Sequence, residues 1–113
     1  MKTVIMFLSL IFTQLVFAHA DHPPRIASCA PAGCTQAEVD SSVPLALEFL
    51  ANTGRIEKSW INKKIGKAEF KPFAKGSEWV VKVTDSKAKK GKQDLFIFIT
   101  TDGILNGSNF SGN

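Results

Sequence analysis

Four side chains near the start of the chain have the chemistry of a soft-metal site: His19, His22, Cys29 and Cys34 fall within sixteen residues. Imidazole and thiolate suit Cu(I) or Zn(II). Their spacing matches no standard zinc finger, and the cysteines would have to stay reduced. Outside the cytoplasm, a lone pair of cysteines is expected to form a disulfide instead. The loop Cys29-Ala-Pro-Ala-Gly-Cys34 is short, and Pro31 and Gly33 help it turn. The two outcomes exclude each other, because a disulfide sulfur is a poor ligand compared with a thiolate. The expectation is a disulfide and no cofactor. Copper or zinc held by the four residues is the alternative.

Catalytic chemistry is poorly supplied. The only histidines lie in the irregular segment before Thr35, and the chain has no tyrosine. A Ser–His or Cys–His pair would have to be assembled from that segment, whereas preorganised catalysis needs rigid supports. The carboxylates Glu48, Glu57, Glu69, Glu78, Asp85, Asp94 and Asp102 are scattered without a pairing motif. No glycine-rich phosphate loop follows a strand pattern. The expectation is therefore that the protein is not an enzyme. Four lysines crowd together at 87, 89, 90 and 92. Lysines beside Trp79, Phe96 and Phe98 suggest a base-stacking platform. An exported protein seldom meets nucleic acid, however, so solvation of a turn is the expected role. Asn106-Gly-Ser108 and Asn109-Phe-Ser111 match the glycosylation pattern, which acts only in a eukaryotic secretory pathway.

Export is read from the first twenty residues. Lys2 precedes an apolar stretch from Val4 to Phe17, and Ala18-His19-Ala20 closes it with small residues. That is the layout of a secretory signal peptide, too short for a comfortable membrane span. Cleavage is expected after Ala18 or Ala20, and no membrane span should remain after processing. An uncleaved anchor lacks support, because no stop-transfer pattern follows. Ile26-Ala27-Ser28-Cys29 looks like a lipid-attachment box. It sits too far from the apolar stretch, with Asp21, His22, two prolines and Arg25 between. The expected location is periplasmic or secreted. Removing Lys2 leaves 13 Lys+Arg against 10 Asp+Glu, a mature charge of +3. The mature chain fits one small domain that buries only about 60–65% of its unfolded surface.

The elements that would position these residues follow from periodicity. Residues 21–34 read as an irregular arm, rich in proline, and ordered structure is expected from Thr35. Thr35-Gln-Ala-Glu38 is a capping box. Val39, Val43, Ala46, Leu47 and Leu50 make one apolar helical face, and Gly54 is placed to end the helix. Pro44 predicts either a kink or a restart. The linker then carries Ile56, Trp60, Ile61 and Ile65, with Trp60 expected in the core. From Lys67 the period changes to two. Strands are expected at 68–73, 78–84, 94–100 and 103–110, with Asp102-Gly103 as a tight turn. Pro72 places the first strand at an edge. Leu95, Ile97 and Ile99 face one way and Phe96 and Phe98 the other, so the third strand should be central.

The fold class is thus α+β: one amphipathic helix on a four-stranded antiparallel meander. A signal peptide spans 1–20, the arm with its cysteine pair 21–34, and the domain 35–113. One helix covers one sheet face. Val80, Phe96 and Phe98 on the other face need cover from the linker, the arm, a partner or a second copy of the chain.

With the strands placed, the chain resembles a known group. The run Leu47-Glu-Phe-Leu-Ala-Asn-Thr-Gly-Arg-Ile-Glu-Lys-Ser-Trp60 looks like the helix end of an uncharacterised family of short exported bacterial proteins. Glu78-Trp79-Val80-Val81, Leu95-Phe-Ile-Phe-Ile-Thr100, Asp102-Gly103 and Asn109-Phe110 fall where that family carries similar residues. The likeness spans about 45–113. The family looks similar to PepSY-like helix-plus-sheet modules of secreted proteins that bind or restrain partners. It often carries a His-rich stretch after the signal peptide, of which only His19 and His22 stand here, and Pro44 departs from its pattern. The resemblance implies fold and compartment, and no mechanism. The functional expectation is a non-catalytic module that binds an unknown periplasmic protein or peptide through Val80, Phe96 and Phe98, with no nucleic acid involved.

Overall fold

The helix begins where the capping box puts it. In the computed structural model, which describes residues 23–29 and 31–113, α1 spans Gln36–Asn52. The Thr35 side chain accepts from the Glu38 backbone N–H at 3.2 Å, and Glu38 Oε1 accepts from the Thr35 N–H at 2.8 Å. Two backbone donors that the helix leaves unpaired are thereby satisfied. Thr35→Ala is expected to cost about 1 kcal/mol of stability in urea unfolding. The restart expected at Pro44 does not occur: α1 is one helix with Pro44 inside it. Pro44 is exposed, so the Asp40 carbonyl that loses its partner can turn toward water. Val39, Val43, Ala46, Leu47 and Leu50 are all buried, as the periodicity requires.

Gly54, at φ 76°, turns the chain after the helix. A short 3₁₀ helix, Lys58–Asn62, then brings Trp60 into the core at 5% exposure. Five strands follow: β1 (Lys64–Ile65), β2 (Glu69–Lys71), β3 (Glu78–Thr84), β4 (Asp94–Ile99) and β5 (Leu105–Asn109). The sheet is antiparallel, with β3 and β4 inside it and both β1 and β2 on the outer side of β3. The α+β expectation therefore holds, and β4 is central because both its faces are apolar.

The expected first strand is shorter than the sequence pattern and has a second piece before it. Ile65 pairs with Val83 and Glu69 with Val80, so the edge chain advances four residues while β3 advances three. The extra residue is a bulge. It turns Ala68 inward to full burial. There the Ala68 N–H donates to Asp40 Oδ1 at 2.7 Å, and its carbonyl accepts from Gln36 Nε2 at 2.7 Å. Helix side chains thus satisfy the backbone groups that the bulge frees.

Trp79, Val81 and Val83 face α1 with Leu95, Ile97, Ile99 and Leu105. On the opposite face Val80 is 4% and Phe98 8% exposed, and Phe96 is half-buried. Phe73, from the loop after β2, meets Phe98 edge-on with centroids 6.0 Å apart. The C-terminal turn lies on Phe96, close enough that a Cβ on Gly112 would come within 3.3 Å of the ring. Asn109 Oδ1 holds that turn by accepting from the N–H groups of Ser111 and Gly112.

The arm is irregular, yet its order begins before Thr35. Ile26 is 7% exposed. Its N–H donates to the Gly103 carbonyl at 2.8 Å, and the Leu105 N–H donates to the Pro24 carbonyl at 2.9 Å. Arg25 forms a β-bridge with Ile104. The arm therefore docks on the turn before β5. Residues 1–20, where a signal peptide is expected, lie outside the described residues. Among the described residues no helix is long and apolar enough to cross a membrane.

Candidate functional site

The residues first suspected of metal chemistry separate into two groups. Cys29 and Cys34 are bonded as a disulfide, with their Cα atoms 4.8 Å apart. The Cys34 N–H donates to the Thr101 carbonyl at 2.8 Å, so the closed loop is tied to the same turn as the arm. Their thiolates are consumed by the bond. His19 and His22 lie outside the described residues. The residues expected to meet a partner are not an open surface either: Val80 and Phe98 are buried by the chain itself, and only Phe96 keeps partial exposure. Phe73 packs on Phe98 and the C-terminal turn on Phe96, and a groove of about 570 Å³ lined by Phe73, Phe98, Asn106 and Asn109 remains beside them.

The turn at Asp102 shifts the titration of its own carboxyl. Thr100 Oγ1 donates to Asp102 Oδ1 at 2.6 Å. That hydrogen bond holds the Asp102 carboxyl below its ordinary value; the Asp102 backbone N–H and Arg25, whose guanidinium is 3.6 Å away, act in the same direction. A carboxyl lowered in the folded state adds stability above its unfolded pKa and loses it as the pH falls through the folded pKa. Thr100→Val should move the Asp102 midpoint up toward the ordinary carboxylate value. An NMR titration of the Asp102 carboxyl carbon reads this directly, and an unchanged midpoint would refute the assignment.

A cleft of about 580 Å³ opens at the other end of the sheet, between the turn after α1 and the lysine-rich loop. Its walls carry Arg55, Glu57, Asp85, Lys89 and Lys92, and Trp60 and Phe110 form the aromatic base. The two rings lie 5.9 Å apart at 50°. Phe110 is 36% exposed, whereas Trp60 is 5% exposed and presents little more than an edge. Both walls are pinned by hydrogen bonds. The Arg55 N–H donates to the Leu50 carbonyl at 2.8 Å, which anchors the turn to α1. On the facing wall, Gln93 Nε2 donates to the carbonyls of Ser86 and Ala88 at 3.2 and 3.1 Å. The lysine loop is therefore a stitched structure rather than a loose one.

The charges in this cleft are unequal. Asp85 is already engaged: Lys63 Nζ is 3.5 Å away, and Asp85 Oδ1 accepts from the Lys87 N–H at 3.0 Å. Lys92 Nζ sits 5.8 Å over the Phe110 ring, and the Arg55 guanidinium 5.5 Å over Phe49. Such contacts stabilise a cation against an aromatic face. The arrangement can hold a charged group beside an apolar one. Sequence reasoning treated the lysines as solvated and Trp60 as core, and both readings were local. The signal that joins them is the position of Phe110 immediately after β5, which sets a ring between Trp60 and Lys92.

Among the described residues no cluster of three or more His, Cys, Asp or Glu residues has metal-binding geometry. No curated protein and no solved structure is significantly similar to the chain. One family model does match, over residues 1–113, and by that match the protein belongs to the family of unknown function DUF6488.

Proposed function

We propose that the protein is an exported, non-catalytic module that works by binding a peptide or protein partner. The observation that carries this reading is the cleft beside Trp60 and Phe110: concave, walled by hydrogen-bonded turns, and lined by ring and charge. The signal-peptide pattern of residues 1–20 and the Cys29–Cys34 disulfide support an exported, periplasmic setting.

A photo-crosslinking side chain at Ser59, on the rim, tests the reading in intact cells. The same group at Phe70, which is exposed near the opposite end of β3, serves as the control. A discrete adduct from position 59 and none from position 70 is expected. Absence of any adduct from either position would refute the binding reading. The copper or zinc alternative needs both cysteines reduced. Thiol counting on protein purified without reductant should find none, and two after reduction. Two free thiols that become protected on adding Cu(I) or Zn(II) would favour the metal reading instead.

A further inference from the structure

We propose that the cleft between the lysine loop and the turn after α1 takes acidic peptide segments that carry a large apolar side chain. This rests on the binding reading above and adds the chemistry of the ligand. The first argument is charge. Arg55, Lys89 and Lys92 line the cleft, against Glu57 and an Asp85 already paired with Lys63. Glu57 is the one lining carboxylate without an ion pair among the described residues. Lys87 and Lys90 are exposed on the same loop and add to the local field. A concave site lined by one excess sign raises the local concentration of opposite charge.

The second argument is the coupling of charge to an apolar floor. Lys92 Nζ lies over Phe110, whose ring is partly exposed beside Trp60. An apolar side chain placed against Phe110 would bring a neighbouring carboxylate within reach of Lys92 and Lys89. Arg55 is held on the facing wall by its contact with Phe49 and by a 3.0 Å hydrogen bond to Thr53 Oγ1. Cations that are already positioned lose less side-chain entropy on binding. The third argument is shape. A cleft of about 580 Å³ admits one or two side chains. It is neither a continuous track for a phosphate polymer nor the convex apolar surface that a membrane requires.

Titration of nitrogen-labelled mature protein with acetyl-Glu-Phe-Glu-amide tests the proposal. Shift changes should concentrate at residues 54–60, 85–92 and 110. Acetyl-Gln-Phe-Gln-amide should bind at least about tenfold more weakly, because the charge-assisted contacts are lost. The Lys89→Glu/Lys92→Glu double variant should lose at least about tenfold for the acidic peptide. Both lysines are exposed, and an otherwise unchanged spectrum confirms that the variant folds. Phenylacetate, which offers ring and carboxylate without a peptide, should bind more weakly than the acidic peptide. Equal binding by phenylacetate would overturn the peptide assignment. Shifts located elsewhere, equal affinity for the neutral peptide, or no binding at millimolar acidic peptide would overturn the ligand chemistry. The last result alongside a crosslink from position 59 would leave the binding reading standing and remove only the acidic ligand.

Discussion

Gly103→Ala is expected to destabilise the domain by about 3 kcal/mol, among the larger effects of a single substitution. Two causes combine. Gly103 has φ 98°, a conformation that costs an L-residue roughly 1–2 kcal/mol. A Cβ there would also strike the Ala27 carbonyl, lying far inside van der Waals contact with its oxygen and 3.1 Å from its carbon. The obstacle is backbone and cannot rotate away. The arm would have to lift from the turn. It would then lose the Ile26 and Ala27 hydrogen bonds to the Gly103 carbonyl and the burial of Ile26. Burying one such side chain is worth about 1.5–3 kcal/mol. Gly54→Ala is the control, since Gly54 also has positive φ, at 76°, but nothing stands within 4 Å of its Cβ. It should cost only about 1 kcal/mol, the backbone part alone. Urea unfolding of both variants separates the clash from the conformation. Equal losses would show that the arm does not bear on Gly103.

Ile97→Ala should cost about 3–4 kcal/mol, the range for emptying a closed core site. Ile97 is fully buried in β4, opposite Val81 on one side and Ser108 on the other. It belongs to the cluster with Leu47, Leu50, Leu95 and Ile99. A central strand under a helix cannot close the gap without moving both neighbours, so little of the loss is recovered. In a domain of this size the total stability is on the order of 5–10 kcal/mol, and the variant should show a visible unfolded fraction well below the parent midpoint. Phe70→Ala is the contrast: its ring is 52% exposed although it meets Trp79 with centroids 5.0 Å apart. Its loss should stay below about 1 kcal/mol. A comparable loss at both positions would mean that the core is not where burial places it.

Both proposals of function depend on contacts that local pattern does not encode. The lysines of the 85–93 loop and Trp60 were each read from their immediate neighbours, one as a solvated turn and the other as a core anchor. Trp60 is indeed buried. What makes a site of them is the stitching by Gln93 and the arrival of Phe110, set by the pairing of β5 with β4. The same limit explains Val80 and Phe98. Their outward face was legible from alternation, but Phe73, which the period placed at the end of the expected first strand, lies instead in the loop after β2 and packs on Phe98.

By itself the sequence determined the start of α1, its buried stripe, the two inner strands and the edge position of the strand next to Pro72. Each depends on hydrogen bonds or periodicities that close within a few residues, as when Thr35 caps Glu38. It also determined that two cysteines, five residues apart, could bond across a short loop. Tertiary structure alone decided the bulge that buries Ala68 against Asp40, 28 positions away, and the docking of Arg25 on Asp102, 77 positions away. It also decided the cover of Phe96 by the C-terminal turn and the cleft beside Phe110. The physical reason is that such contacts form only after the sheet has assembled. Their energy comes from groups brought together by the packing of other residues, and no spacing along the chain records which groups will meet.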